Sequence, residues 1–274
     1  MATSDGNPRT LRVVPQGELP ALGRPGGGRA TLAAYVLHQY DWSESSLIVE
    51  LFTRAQGRVV VAAKGAKRPT SNFRPVLLPF HPLQVQLGKA PKDEQAEVLN
   101  LRSAEWAGGQ ALLATSAMYA GFYLNELLLK LMPRQDPHPA LFDAYATTLR
   151  ALAEGHDESP TLRAFELVLL RELGWLPELG VATLTNQPLA AETRYALQPE
   201  AGVIAHADGL QGATWVALEA ALSRGAMPAL QAACAPAAAA LRTPLRNLLH
   251  YHLGSHQLRT RDVWQGVMRL VDSR

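Results

Sequence analysis

The sequence is poor in the residues that form disulfides, metal clusters and membrane spans. Only one cysteine, Cys234, is present in 274 residues, which excludes an internal disulfide and a multi-cysteine zinc site. A single cysteine suits a reducing compartment. No run approaches the ~20 apolar residues that span a bilayer, and residues 1–30 show no basic-then-apolar secretion signal. We therefore expect a cytoplasmic protein without a membrane partner.

Motifs that carry enzyme chemistry are also missing. The sequence contains no G-x-S-x-G elbow, no H-E-x-x-H motif and no G-x-x-x-x-G-K-[ST] phosphate loop. The triplet Gly26-Gly27-Gly28 follows no strand pattern, which disfavours a phosphate loop. His252 and His256 have the spacing of a metal pair, but Gly254 lies between them and no carboxylate is nearby in the sequence. An enzyme therefore has no supporting motif in this sequence, and we predict no catalytic residue, cofactor or metal.

Charge is distributed unevenly, although the net charge is only +2. Residues 54–92 contain eight basic residues and no acid, and residues 223–261 contain five arginines and no acid. Between these regions, residues 115–179 contain nine acids against five bases. The sequence therefore places two basic regions on either side of an acidic middle.

The pattern of apolar residues predicts an α+β protein that begins with a small barrel. Residues 1–29 are rich in glycine and proline, and we expect a disordered leader there. Residues 30–108 contain five short segments rich in β-branched and aromatic residues, without a long helix. These segments are Ala30–Tyr40, Ser46–Thr53, Gly57–Gly65, His81–Gly88 and Ala96–Glu105. Five such strands fit an oligonucleotide-binding (OB) barrel, which we predict as the DNA-binding domain.

The rest of the chain predicts a helical domain with an insert. Helical spacing dominates residues 109–179 and 212–274, while residues 180–211 are loop-rich with weak strands at most. The predicted helices are Gly109–Met132, His138–Gly155, Ser159–Gly174, Thr214–Leu222, Ala235–His252 and Thr260–Val271. Ser159 is the expected N-cap of the third helix and Gly174 its C′ residue.

One stretch concentrates positive charge between two strand patterns. It reads "VAAKGAKRPTSNFRPVLLPF" over residues 61–80 and carries Lys64, Lys67, Arg68 and Arg74, with Arg58 shortly before it. We call residues 64–74 the basic turn. Cations on exposed backbone neutralise phosphates and release counterions, so this turn predicts nucleic-acid binding. The alternatives are a solvated face, or a surface for an acidic protein partner.

Aromatic side chains in the same module add a second possible contact. Tyr35, Phe52 and Phe80 occupy strand-like positions, where barrel aromatics pack in the core. Trp42 and Phe73 lie in connections. Their pattern leaves packing and base stacking equally open.

Five segments in order resemble the RecO family of bacterial recombinational repair proteins. They read "AYVLHQYDWSESSLIVELFTRAQGRVVVAAKGAKR", "PFHPL", "GFYLNELLLKL", "LRAFELVLLRELGW" and "HLGSHQLRTRDV". The resemblance implies an OB barrel, a helical domain and often a four-cysteine zinc module. It also implies that the protein is not an enzyme. It also implies binding to single- and double-stranded DNA and annealing of complementary strands. Together with RecR, such a protein loads RecA onto DNA coated by single-strand-binding protein and holds the acidic C-terminal tail of that protein.

The resemblance also suggests residues for each role. Lys64 matches the basic position of the family after the third strand, and Arg163 matches an arginine in the helix where the tail binds. The predicted DNA-binding residues are Arg58, Lys64, Lys67, Arg68, Arg74, Arg246, Arg259 and Arg261. The predicted tail-binding residues are Arg163, Lys130, Arg150 and Arg171. Without the resemblance, Arg163 would be read as a surface pair with Glu166 at i, i+3.

The sequence departs from the family at the zinc module. Where two cysteine pairs are expected it reads "VATLTNQPL" and "GVIAHADG". Zinc is therefore not expected. The resemblance places the protein in the cytoplasm, associated with the nucleoid. The alternative from another class is an interaction adaptor whose basic barrel binds an acidic protein instead of DNA.

Overall fold

The computed structural model describes residues 31–88, 98–109, 112–254, 258 and 260. Five strands close into a barrel in the order β1-β2-β3-β5-β4. They are β1 (Leu32–Asp41), β2 (Leu47–Thr53), β3 (Gly57–Ala63), β4 (Leu83–Leu87) and β5 (Val98–Trp106). Every pairing is antiparallel except that of β3 with β5. The predicted five-stranded barrel is confirmed, while the predicted leader lies outside the described residues.

The barrel strands are apolar on both faces because each face meets a different core. Side chains alternate between the two faces of a strand. On β1, Ala34 and Val36 fill the barrel interior, whereas Tyr35 and Leu37 pack into the core of the helical region. Phe52 of β2 is fully buried in that second core. The outside of the barrel is therefore a packing surface for helices.

Six α-helices follow the barrel within the residues that the structure describes. They are α1 (Thr115–Leu131), α2 (Pro139–Ala153), α3 (Glu158–Glu172), α4 (Gly212–Ser223), α5 (Met227–Cys234) and α6 (Ala238–Leu253). Five of them correspond to predicted helices, and α5 was missed. Its sequence is short and rich in alanine, and it is separated from α6 by a 3-10 turn at Ala235–Ala237. The predicted last helix, Thr260–Val271, lies outside the described residues except for Thr260.

Helix α3 is the central helix of this region. Ten of its fifteen residues are buried, so it meets neighbours on nearly all sides. The predicted N-cap Ser159 was wrong: Asp157 caps the helix, and its side chain accepts a hydrogen bond from the Ser159 amide. Asp is a preferred capping residue, and its charge suits a helix N-terminus. Gly174 has a φ of 72°, as expected of a C′ residue.

A buried asparagine joins the barrel to the helices. The pairing of β1 with β2 shifts register between Val36 and His38, so Leu37 has no paired residue on β2. The side-chain amide of Asn125 on α1 donates to the Leu37 carbonyl at 3.0 Å. The Tyr145 hydroxyl of α2 in turn donates to Asn125 Oδ1 at 2.5 Å. Barrel, α1 and α2 therefore share one buried polar network.

The insert is more ordered than its sequence indicates. It forms β6 (Val181–Ala182), β7 (Gln187–Pro188), β8 (Arg194–Gln198), β9 (Gly202–Ala205) and β10 (Leu210–Gln211). These strands make a two-stranded sheet and a three-stranded sheet. The Thr183 hydroxyl accepts a hydrogen bond from the Val203 amide at 2.8 Å, which ties the two sheets together. None of the helices within the described residues has the length and apolar character to cross a membrane.

Candidate nucleic-acid interface and peptide pocket

The basic turn is anchored on the barrel while most of its cations face solvent. Ala66 is buried in the barrel core, and the Lys67 amide donates to the Ser45 carbonyl at 3.0 Å. Lys64, Arg68 and Arg74 are exposed. The backbone is therefore fixed, and three charged side chains remain available to an anion.

Lys67 differs from the other cations of the turn. Its ammonium group lies 3.0 Å from Asp41 Oδ1, and its side chain is 31% exposed. Surface pairs of this kind are weak, so a phosphate can replace Asp41 as the partner of Lys67. The turn therefore offers three open cations and a fourth that is already paired.

A groove of about 590 Å³ runs beside the basic turn. Its walls come from β1, the turn and α1, and include Leu78, Phe73 and Phe122, with Lys67 and Arg74 among the lining residues. Phe73 packs against the barrel core, so it is a wall of the groove and not a free stacking platform. Trp42 is 56% exposed, which leaves its ring accessible to a base. The groove combines an apolar surface with cations, as a single strand requires.

The aromatics that were assigned to the core are indeed buried. Tyr35, Phe52 and Phe80 are 4%, 0% and 5% exposed. They pack with the helical region instead of the barrel interior. Tyr35, for example, meets Phe142 of α2 at a centroid distance of 5.4 Å.

Arg58 was predicted to bind DNA, and in the structure its guanidinium group is engaged by protein groups. Its Nη1 lies 3.3 Å from Glu50 Oε2, and its Nε and Nη2 donate to the Met132 carbonyl. Arg134 reaches the other oxygen of the same carboxylate at 2.9 Å. Glu50 is only 3% exposed, so it needs both guanidinium partners to offset the cost of burial. Arg58 therefore joins the barrel to the segment after α1.

A second pocket, of about 410 Å³, lies between α1, α3 and α6. We call it the arginine pocket because Arg163, Arg242 and Arg246 line it, together with His250. Arg242, Arg246 and His250 follow one another at i, i+4 on α6 and so share a face of the helix. The sequence prediction missed Arg242, although its i, i+4 spacing from Arg246 is a pattern that could have identified it. Arg246, predicted to bind DNA, also lines this pocket.

Arg163 and Glu166 do form an ion pair, but not on the surface. Arg163 Nη2 lies 2.8 Å from Glu166 Oε1, and the side chains are 11% and 0% exposed. The Tyr123 hydroxyl donates to the same oxygen at 2.7 Å. Burial raises the pKa of Glu166 to about 7, against the opposing effects of Arg163 and of the Tyr123 hydrogen bond. Burial therefore favours the protonated carboxyl group, whereas Arg163, Tyr123 and Arg242 favour the ionised one.

The other predicted tail-binding residues are engaged elsewhere or lie apart. Lys130 pairs with Glu126 at 2.8 Å. Arg171 binds Glu219 through both guanidinium Nη atoms, at 3.1 and 2.7 Å. Arg150 is exposed in the last turn of α2. None of these three is among the described residues that line the arginine pocket. The predicted Arg259 and Arg261 lie outside the described residues.

Comparison with known proteins decides the family. The model described as Recombination protein O N terminal matches residues 29–107, and the one described as Recombination protein O C terminal matches residues 114–262. The chain belongs to the RecO family. It is 52% identical over 237 residues to "DNA repair protein RecO" of Verminephrobacter eiseniae, covering 84% of this chain and 93% of the relative. For the protein of the same name from Variovorax paradoxus, the identity is 49% over 251 residues, covering 86% and 96%.

The insert of this RecO family member does not fit zinc. At the first expected cysteine pair, Thr183 uses its hydroxyl as an acceptor for a backbone amide. The single cysteine, Cys234, is buried at the end of α5, and burial raises the pKa of its thiol to about 12. Within the described residues, no group of three or more His, Cys, Asp or Glu side chains is placed to hold a metal ion. Hydrogen bonds between Thr183 and Val203 join the two small sheets.

Proposed function

We propose that this chain is a DNA-binding recombination mediator in DNA repair. In this role it binds single- and double-stranded DNA and anneals complementary strands. It also helps RecR to load RecA onto DNA coated by single-strand-binding protein. The observation that carries the proposal is the anchored basic turn beside an apolar groove on the barrel. Relatives of about 50% identity are named DNA repair proteins, which supports the same role.

The barrel surface has the features that a single strand needs. Lys64, Arg68 and Arg74 are exposed at a turn whose flanking residues 54–92 contain no acid. Phosphates that meet these cations release counterions, which favours binding at low salt. The ring of Trp42 lies exposed at the end of β1, where a base can stack on it. Neutralised strands repel each other less, so pairing with a complementary strand becomes easier.

The arginine pocket suits the acidic C-terminal tail of single-strand-binding protein. Its lining includes three arginines and the apolar side chains Leu162 and Leu258. Guanidinium groups bind carboxylates through paired hydrogen bonds, and a short apolar surface accepts the side chain of a terminal residue. The pocket is therefore a binding site for a peptide that ends in a carboxylate and an apolar residue.

Annealing assays test the two surfaces together. Complementary oligonucleotides coated with single-strand-binding protein are mixed with the purified protein, using the intact partner and a partner that lacks its tail. We expect faster annealing only when the tail is present. Arg163→Ala should remove this advantage and leave annealing of naked strands unchanged, whereas Arg150→Ala, away from the pocket, should change neither. If Arg163→Ala slows annealing of naked and coated strands equally, the two-surface proposal is wrong.

An interaction adaptor is the second candidate, because Lys67 of the basic turn already pairs with a carboxylate, that of Asp41. An acidic protein partner would satisfy the same cations. A gel shift with single-stranded DNA at moderate salt separates the two functions. A shifted band favours the mediator, and its absence at every protein concentration favours the adaptor.

A further inference from the structure

We infer that Glu166 is a positioning residue that orients Arg163 and weakens binding of acidic peptides to the arginine pocket when its carboxyl group is ionised. The inference rests on the proposed peptide-binding function of this pocket. It adds that the affinity for the peptide depends on pH, which peptide binding by itself does not require. The ligand class is an acidic peptide with a free terminal carboxylate.

Glu166 lies directly behind the residues that line the arginine pocket. Its side chain is fully buried, and it contacts two residues of the pocket lining, Arg163 and Tyr123. Both contacts go to Oε1. The other oxygen, Oε2, is buried and has no hydrogen-bond partner among the described residues, and the same is true of Arg163 Nε. A buried carboxylate with one unsatisfied oxygen is costly to ionise.

The charges around the pocket are nearly balanced, so one proton matters. Arg163, Arg242 and Arg246 supply three positive charges, while Asp157 and Glu158 also line the pocket. When Glu166 is ionised behind the pocket lining, its carboxylate and those of Asp157 and Glu158 balance the three guanidinium groups. With Glu166 protonated, the pocket has a net positive charge and attracts an anionic peptide more strongly.

The groups that face Glu166 come from four helices. On α3 itself, Arg163 stabilises the ionised form, as does Arg242 from α6. From α1, Tyr123 donates to Glu166 and also interacts electrostatically with Glu126. From α5, the thiol of Cys234 is neutral because burial and the charge of Glu166 raise its pKa. Helix α6 also places His250 on the pocket lining.

The sign of the effect follows from linkage. Burial dominates and raises the pKa of Glu166 to about 7. A bound anionic peptide raises that pKa further, so binding takes up a proton and the affinity increases as the pH falls. If the peptide raises the pKa by about one unit, the affinity increases about fivefold between pH 8 and pH 6. His250 also lines the pocket, so the test includes a variant of this residue.

The test measures the affinity of the full chain for one probe across this pH range. The probe is a fluorescently labelled synthetic peptide with the sequence of the acidic tail of single-strand-binding protein, titrated by fluorescence anisotropy. Glu166→Gln keeps the size of the side chain and an oxygen for Arg163. We expect it to bind at pH 8 about fivefold more tightly than the wild type and to lose most of the pH dependence. Calorimetry at pH 7.5 in two buffers should show about half a proton taken up by the wild type and much less by the variant.

Matched variants distinguish this role from a general change of charge. Glu158→Gln removes another carboxylate that lines the same pocket, so it should raise the affinity yet keep the pH dependence. His250→Gln should keep most of the dependence. Tyr123→Phe removes a hydrogen bond that lowers the pKa of Glu166, so the midpoint should move to higher pH. Circular dichroism checks that each variant is folded. If Glu166→Gln does not fold, Tyr123→Phe still tests the inference.

The results distinguish a failure of the inference about Glu166 from a failure of the proposed peptide-binding function. If the wild type binds the peptide but Glu166→Gln keeps the full pH dependence, the inference about Glu166 is wrong and the pocket remains a peptide site. If Tyr123→Phe leaves the midpoint unchanged, the inference is also wrong. If the wild-type protein binds no peptide at any pH in dilute buffer, the proposed function of the pocket fails first.

Discussion

Removal of two exposed arginines from the basic turn should weaken DNA binding in a salt-dependent way. Arg68 and Arg74 are both exposed, so their replacement by alanine changes charge without disturbing the core. Each phosphate contact with a single strand contributes about 0.7 to the slope of log affinity against log salt. The double variant should therefore have a slope smaller by about 1.4. If the affinity extrapolated to 1 M salt is unchanged, the loss at about 0.1 M salt is roughly 25-fold.

A matched control removes the same number of arginines elsewhere. Arg150 and Arg224 are also exposed, on α2 and just after α4, away from the barrel groove. Anisotropy of a labelled single-stranded oligonucleotide, measured at several salt concentrations between about 50 and 300 mM, gives the slope for each protein. We expect the control double variant to behave as the wild type. Equal slopes for all three proteins, or equal losses in both double variants, would refute the assignment of DNA binding to the basic turn.

Three further predictions follow from single contacts. Trp42→Ala should cost about 1–3 kcal/mol in oligonucleotide affinity if a base stacks on its exposed ring, and unchanged affinity in the same anisotropy assay would exclude stacking. Asn125→Ala leaves the Leu37 carbonyl and the Tyr145 hydroxyl without their partner, so urea unfolding should show a loss of roughly 2–4 kcal/mol; a loss below ~1 kcal/mol would contradict the network. A metal chelator should leave the melting temperature unchanged, whereas Thr183→Val, which removes the acceptor for an amide, should lower stability by about 1–3 kcal/mol.

The barrel was predictable because its signals are local. Runs of β-branched and aromatic residues and a turn at residues 55–57 are sufficient to place β2 and β3. The distribution of side chains between two cores was not predictable, since Tyr35 and Val36 are both apolar and only the docked helices distinguish their environments. Helix α5 was missed for a related reason: a short alanine-rich segment is recognisable as a helix only once its packing partners are known.

The two candidate sites differ in how much the sequence reveals about them. The basic turn is contiguous, so its composition predicts an exposed cationic surface. The arginine pocket is assembled from three helices, and charge alone does not tell which arginines enter it. Arg58 and Arg171 look like available cations in the sequence, yet Glu50 and Glu219 bind them in the fold. Whether an arginine is available to a ligand therefore depends on acidic partners that are distant in sequence.

The barrel strands pack into two cores, one inside the barrel and one shared with the helices, and this limits how the chain can be divided into fragments. Tyr35 meets Tyr145 at a centroid distance of 5.0 Å, and Phe52 meets Phe142 at 5.3 Å, so cutting the chain after residue 109 would expose large aromatic rings on both fragments. We expect neither fragment to stay monomeric by itself. The Asn125 network also joins the barrel to α1 and α2, and the described residues after Ala30 belong to one compact unit. A nucleic acid in the groove and a protein tail in the arginine pocket would therefore be held on the same packed body.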